Sequence, residues 1–224
     1  MNTKCVVLFS CLLLVLTSRP AAGNLLTNGD FSLDNTGFTS QLDYIPRGGV
    51  HYGPGYYSVV YNPGVDISPI FFSFGDHTTG TGLMFAADAA TTPDNIVWQE
   101  TVTVVGGTSY VFSGWAASMG QTGNFVDPSP AVLRVLVNDL QIGSDFTVIA
   151  QNGQWSDFSA RWTDGTSGPV TIKIVDVNTD FVGNDFTMDD LSLLGVPEPS
   201  SLVMLAIGIV GLVCFGRRRR FQTE

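Results

Sequence analysis

The chain has 224 residues, of which 44% are hydrophobic and only 13% are charged, and its formal net charge at pH 7 is −10. An excess of acidic residues repels phosphate backbones, which excludes nucleic acid as a partner. The three cysteines lie near the two ends, at Cys5, Cys11 and Cys214. The long segment between them therefore forms no disulfide, no zinc–thiolate site and no cysteine nucleophile.

The first 23 residues have the pattern of a secretory signal peptide. Lys4 precedes an apolar stretch, Cys5–Leu16, and small residues follow at Ala21–Gly23. A charged start, a short apolar stretch and a small-residue cleavage site direct export. We predict cleavage after residue 23, with Asn24 as the new N-terminus.

Residues 24–195, which we call the body, are predicted to form one domain, because their number suits a single hydrophobic core. The body contains 18 acidic residues, 17 of them Asp, and a formal net charge of −14. Its basic residues are Arg47, Arg134, Arg161 and Lys173. Such acidity suits solubility outside the cell, and Asp enrichment also suits turns and Ca²⁺ sites.

Alternation of apolar and polar residues predicts strands throughout the body, separated by Gly, Asn, Asp and Pro. In chain order the predicted strands are Leu25–Leu26, Tyr57–Tyr61, Leu83–Ala86, Ile96–Val104, Ser109–Ala117, Ala131–Asn138, Gln154–Trp162, Val170–Val177 and Phe186–Leu194. Turns are predicted at Asn28–Asp30 and Gly75–Gly82, and a glycine- and tyrosine-rich loop at Gly48–Gly64. This order, without long helical patterns, predicts an all-β antiparallel β-sandwich.

The C-terminal segment has the composition of a membrane anchor. Leu202–Gly216 carries no charge and is followed by four arginines. As a helix these 15 residues span about 22 Å, and adding Ser200 and Ser201 reaches the minimum of about 17 residues. We predict a transmembrane helix at about residues 200–216, with the basic tail in the cytoplasm. A buried core helix and a lipid-anchor signal are the alternatives.

Val196-Pro197-Glu198-Pro199, the apolar segment and the arginine tail together resemble the PEP-CTERM sorting signal, over residues 196–221. The resemblance implies processing by an exosortase-type enzyme. It also implies a precursor anchored in the inner membrane that moves to the cell surface or the extracellular, biofilm-type matrix. The sorting and processing residues on this reading are Pro197, Glu198, Pro199, Arg217, Arg218, Arg219 and Arg220.

Scattered motifs of the body resemble the galactose-binding-like jelly roll, a fold of many carbohydrate-binding modules. The motifs are residues 24–31 (NLLTNGDF), 107–115 (GTSYVFSGW), Trp155 and 189–191 (DDL). The resemblance implies one structural calcium between the first turn and the last strand, held by Asp30, Asp76 and Asp189. The alternative is that Asp30 bonds its own turn and Asp189 bonds a loop amide. Because neighbours on a strand alternate, only one of Asp189 and Asp190 is expected to point inward.

Sugar binding requires an exposed aromatic platform beside hydrogen-bonding groups. The candidate ligand-binding residues are Tyr52, Tyr56, Tyr57 and Trp155, whereas Trp98, Trp115 and Trp162 lie in strand patterns and are expected in the core.

Catalytic motifs of hydrolases and phosphate-binding loops are absent from the sequence. His51 and His77 are the only histidines. We therefore expect a non-catalytic module that binds extracellular polysaccharide. The alternatives are a structural or protein-binding surface protein and, less favoured, a hydrolase.

Overall fold

The computed structural model describes residues 23–49, 53–120, 123, 125–163 and 165–196. The first 22 residues of the predicted signal peptide, the Pro-Glu-Pro motif, the predicted transmembrane helix and the arginine tail lie outside these residues, as do His51 and Tyr52. Residues Gly23–Gly195 form one structural unit, and Val196 is the only described residue of the other. Within the described part, no helix has the length and apolar character needed to cross a bilayer.

The described residues form ten strands and one four-residue helix, which confirms the all-β prediction. The strands are β1 Asp43–Tyr44, β2 Tyr56–Val60, β3 Met84–Asp88, β4 Asn95–Val104, β5 Ser109–Ser118, β6 Val132–Val137, β7 Leu140–Thr147, β8 Ser156–Thr163, β9 Gly168–Asp176 and β10 Asp185–Val196. The helix α1, Pro63–Asp66, is capped at its N-terminus by Asn62, whose side chain accepts a hydrogen bond from the N–H of Gly64.

The strands form two sheets packed face to face. The six-stranded sheet has the order β1-β2-β3-β10-β5-β8, and the four-stranded sheet has the order β4-β9-β6-β7. All strand pairs with a described register are antiparallel except β1 with β2. The main core lies between the sheets and includes Phe112 and Phe186 from one and Trp98, Leu133 and Ile172 from the other. This arrangement is the predicted sandwich.

A second, smaller core lies on the outer face of the six-stranded sheet. Ile67 and Phe71, which follow α1 in the chain, pack there against Val60, Met84 and Ala86. The side chains of Phe74 and Trp155 border this cluster. The long β2–β3 connection therefore covers one outer face of the sandwich, while the outer face of the four-stranded sheet has no described cover.

Two expectations about local structure are corrected. Leu25–Leu26 is not a strand, although the N–H of Leu25 donates to the carbonyl of Leu193 at 3.0 Å. β7 was not predicted, because its burial pattern is mostly exposed and lacks apolar alternation.

β10 contains a left-handed residue at Asp190 (φ 50°) that changes which positions face inward. Phe186 and Met188 are buried before it, and Leu191 and Leu193 are buried after it. An extra residue in one strand has this effect because side chains alternate with period two. Asp190 therefore lets both halves of β10 contribute to the same core.

Candidate functional site

An open groove of about 530 Å³ lies on the outer face of the four-stranded sheet. Its lining is mainly polar and comes from the segment before β1, from β4, from the β6–β7 turn and from β9. The lining residues are Gly37, Phe38, Thr39, Gln99, Glu100, Thr101, Asn138, Asp139, Thr171 and Lys173.

Strand alternation brings the polar groups together at the groove floor. In the β4–β9 register Gln99 lies opposite Lys173, and Thr101 lies opposite Thr171. Directly opposed residues project from the same face of a sheet. Ile172, between the two β9 residues, is fully buried on the other face. The same pattern that fills the core therefore places four hydrogen-bonding side chains in the groove.

Hydrogen bonds hold these side chains in place. Lys173 Nζ donates to Asp139 Oδ1 at 2.6 Å, and Gln99 Nε2 donates to Thr39 Oγ1 at 3.1 Å. The hydroxyls of Thr101 and Thr171 are 2.8 Å apart. Each of these groups retains further donor or acceptor capacity. The groove can therefore exchange several hydrogen bonds with a ligand that carries both donors and acceptors.

The predicted tyrosine platform is not assembled as expected. Tyr57 is only 5% exposed, its ring stacks on Phe85 with centroids 5.1 Å apart, and its hydroxyl donates to Asn35 Oδ1 at 2.8 Å. It belongs to the main core and does not present its face to solvent. Tyr56 is half-buried in β2. The strand predicted at Tyr57–Tyr61 is present as β2, and it turns Tyr57 into the main core.

Trp155 lies elsewhere, beside the second core. Its ring packs edge-on against Phe74 and His77, and its Nε1 donates to the carbonyl of Gly75 at 3.3 Å. Trp98 is 1% exposed in the main core, as expected. Trp115, also expected in the core, is half-buried on the outer face, with the His77 ring stacked on it at 3.9 Å.

The residues predicted to bind calcium make local hydrogen bonds. Asp30 is exposed and accepts from the N–H and the hydroxyl of Ser32, which is the turn role named as the alternative. Asp76 is buried and accepts from the N–H groups of Thr79 and Gly82. Among the described residues, no three His, Cys, Asp or Glu side chains form a group suited to a metal. Calcium at these three residues stays a prediction.

Asp189 and Asp190 both contact the loop that contains His77. The carboxylate of Asp189, 1% exposed, accepts from the N–H of His77 at 3.0 Å, and Asp190 Oδ2 lies 2.7 Å from His77 Nδ1. Only Asp189 is buried, as expected, but the left-handed backbone at Asp190 turns both side chains toward one loop. Burial raises the pKa of Asp189 to about 7, although the hydrogen bonds that its carboxylate accepts from backbone N–H groups oppose the rise.

Sequence reasoning missed the groove, although part of its signal was present. The alternation of β4 already places Gln99 and Thr101 on one face. The pairing of β4 with β9 and the position of the Asn138–Asp139 turn are long-range features. Such pairings are not encoded in any local pattern.

Comparisons with known proteins identify the C-terminal segment and the fold. Residues 195–220 match the family model described as the PEP-CTERM protein-sorting motif. The chain is therefore an exported protein with a signal for exosortase-type processing. No curated protein matches the chain.

Several solved structures share the fold of the body. The CBM22-1 xylan-binding domain of Xyn10C from Paenibacillus barcinonensis is 15% identical, with a TM-score of 0.51, and covers 80% of this chain and 98% of its own. The apo form of a cyclase from Fischerella sp. is 12% identical, with a TM-score of 0.57, and covers 79% and 97%. TmCBM61 in complex with β-1,4-galactotriose is 15% identical, with a TM-score of 0.46, and covers 78% and 100%. At these identities the first two likenesses show the jelly-roll fold alone, which carries different functions in those two proteins.

Proposed function

We propose that this exported protein is a non-catalytic module that binds an extracellular polysaccharide through the groove on the four-stranded sheet. The observation that carries the proposal is the convergence of Gln99, Lys173 and Asp139 on one open, uncovered sheet face. Resemblance to carbohydrate-binding modules supports the fold that presents such a face.

The chemistry of the groove suits sugar hydroxyls. Each hydroxyl donates one hydrogen bond and accepts others, so it is matched by neighbouring donors and acceptors such as Lys173 and Asp139. Gln99 offers both from one planar amide. Phe38 also lines the groove edge, with its ring packed against Phe31 and Phe85 of the main core.

The net charge of the body favours an uncharged polymer. A formal charge of −14 repels uronic acids and sulfated glycans at long range. We therefore expect neutral polysaccharides. After export, the C-terminal signal would hold the precursor at the inner membrane, and processing would deliver the body to the cell surface or the matrix.

Affinity electrophoresis on a panel of neutral polysaccharides tests this function. We expect retention by at least one polymer, with binding weakened up to about tenfold for Gln99→Ala and for Lys173→Met, since one good hydrogen bond is worth roughly 1.4 kcal/mol or less. The matched control is Gln154→Ala, because Gln154 is exposed and lies in the loop just before β8. This variant should bind like the parent. Failure of every polymer to retain a folded protein would refute the proposal.

A second candidate function, protein binding, is favoured by an exposed apolar patch. Phe125 and Phe181 are 70% and 72% exposed, and Val126 and Val182 are also exposed. The two loops adjoin, because Ser129 Oγ donates to Asp180 Oδ2 at 2.6 Å. Exposed aromatic patches mark interaction sites. The test is a Phe125→Ser, Phe181→Ser variant of a protein whose groove is intact and binds no glycan. Loss of surface attachment in this variant would assign the function to the apolar patch instead.

A further inference from the structure

The first residues of the body are hydrogen-bonded to its last strand, just before the sorting motif. In the six-stranded sheet β10 lies between β3 and β5, and its described pairing with β3 ends at Met188. Beyond that point β10 is bonded by residues 24–29. Two of these bonds join residues that are 167 and 169 positions apart in the sequence. Contacts between such distant segments require a folded body.

The N-terminal segment satisfies all four backbone groups of Leu191 and Leu193. The N–H of Leu191 donates to the carbonyl of Gly29 at 2.8 Å, and the N–H of Leu25 donates to the carbonyl of Leu193 at 3.0 Å. The other two bonds come from one side chain. Asn24 Nδ2 donates to the carbonyl of Leu191 at 3.0 Å, and Asn24 Oδ1 accepts from the N–H of Leu193 at 2.8 Å. Residues 24–29 therefore take the place of a neighbouring strand.

The amide of Asn24 suits this position because it carries one donor group and one acceptor on a planar unit, as a peptide group does. Its Oδ1 also accepts from the N–H of Leu26 at 3.1 Å, which orients the side chain. Leu26 is 6% exposed and belongs to the main core, so it fixes the segment beside β10. An aspartate at position 24 would keep the acceptor and lose the donor, and an alanine would lose both.

These bonds lie between the two positions at which the precursor is expected to be cut. Asn24 is the first residue after the predicted signal-peptide cleavage, and β10 runs to Val196, within the matched sorting motif at residues 195–220. A protease acts on a segment that has been released from its hydrogen bonds, so strand residues are protected according to the cost of local opening. The pairing at Leu191 and Leu193 therefore protects the strand that leads into the motif.

We propose that Asn24 is a positioning residue for C-terminal processing. By holding Leu191 and Leu193 in the sheet, its amide keeps β10 closed up to the sorting motif and confines cleavage to the residues after Val196. The folded body thus defines a single mature C-terminus. Without the amide, residues 192–196 open more often and present further peptide bonds to the processing enzyme. This role concerns the processing reaction and is independent of glycan binding in the groove.

The variant Asn24→Ala of the full chain, produced in its host, tests this role. In the purified protein, the amides of residues 189–196 should exchange with deuterium roughly tenfold faster than in the parent, because two hydrogen bonds to β10 are lost. Peptide mapping should find several C-termini, some of them before Val196, where the parent has one after it. Asn24→Asp retains the acceptor alone and should have a smaller effect on both measurements.

The matched control is Asn62→Ala, which also removes a hydrogen bond between an asparagine side chain and a backbone N–H, at the start of α1. It should leave the exchange of β10 and the mature C-terminus as they are in the parent. A single parent-like C-terminus in Asn24→Ala would overturn the proposal. Equal spreading of the C-terminus in Asn62→Ala would also overturn it, because the cause would then be overall stability. If Asn24→Ala does not accumulate, Asn24→Asp decides the question by the same two readouts.

Discussion

At the scale of single residues, the main departure from simple expectation is the number of carboxyls inside the sandwich. Asp88 on β3 and Asp185 on β10 are direct partners, with Tyr56 on the other side of Asp88. Burial, followed by the negative charges of Asp88 and Asp127, raises the pKa of Asp185 to about 9. Burial raises the pKa of Asp88 to about 6, although its hydrogen bond with Asp185 opposes the rise. The pair therefore retains a proton at neutral pH.

This pair predicts that stability falls as the pH rises. The folded protein binds the Asp88 proton more tightly than the unfolded chain does, because the pKa of this carboxyl is 3.8 in the unfolded chain. The contribution of Asp88 is therefore full below about pH 4 and is lost as the pH rises through about 6. Asp88→Asn should remove about 1–2 kcal/mol of this decline, because Asn bonds Asp185 without a second charge. Melting temperatures from pH 4.5 to pH 8 measure the effect.

The control for this prediction is Asp43→Asn, an exposed carboxyl on β1. It should leave the pH dependence of the parent unchanged. An Asp88→Asn protein whose melting temperature declines with pH as steeply as that of the parent would contradict the shared-proton interpretation.

At the scale of elements, the N-terminal turn and β10 approach so closely that only glycine fits between them. The N–H of Leu191 donates to the carbonyl of Gly29 at 2.8 Å, and a Cβ at Gly29 would overlap the carbonyl oxygen of Leu191. Buried Asn28 supports the same turn, because its side chain bonds the backbone of Leu33, Asp34 and Thr36. The turn is thus fixed from both sides.

Gly29→Ala should therefore destabilise the body by about 2 kcal/mol or more, since the overlap is with backbone that cannot rotate away. Urea denaturation measures the free energy of unfolding. Gly165→Ala is the matched control: it has no atom within 4 Å of the added Cβ and should change stability by less than about 0.5 kcal/mol. Equal stability of the two variants would show that the turn can separate from β10.

Most strands could be predicted from the sequence, because one face of each is buried and the alternation records it. β4, β5 and β9 begin within two residues of the predicted positions. β7 could not be predicted, since an edge strand with exposed side chains leaves no such record. The aromatic residues misled us for a related reason: the tyrosine-rich sequence shows that rings are present but not which face of β2 is buried.

The groove lies beyond local reasoning for a different reason. It depends on the register between β4 and β9, whose paired groove residues are about 70 positions apart in the sequence. A pattern predicts which side of a strand faces outward, whereas pairing decides which outward residues meet.

At the scale of the whole molecule, the two ends determine where the body works. The sorting motif at residues 195–220 directs an exported chain to exosortase-type processing. We predict that the mature protein isolated from its host ends near Pro199, because the cleaved form loses the apolar segment and the arginines. Intact-mass spectrometry of the surface and matrix fractions measures the mature C-terminus. Recovery of only the 224-residue chain, with its N-terminal 23 residues still attached, would contradict both predicted processing steps.

The left-handed residue in β10 sets a limit on how this chain can vary. Replacing Asp190 by glycine would keep the backbone path, whereas losing one residue there would rotate everything beyond it by half a turn. Leu191 and Leu193 would then point to solvent, and Ser192 and the exposed Leu194 would point into the apolar interior. Natural or engineered variants should therefore tolerate exchanges at this position far better than length changes, so the spacing between Met188 and Leu191 is a more informative signature of this domain than the identity of the residues within it.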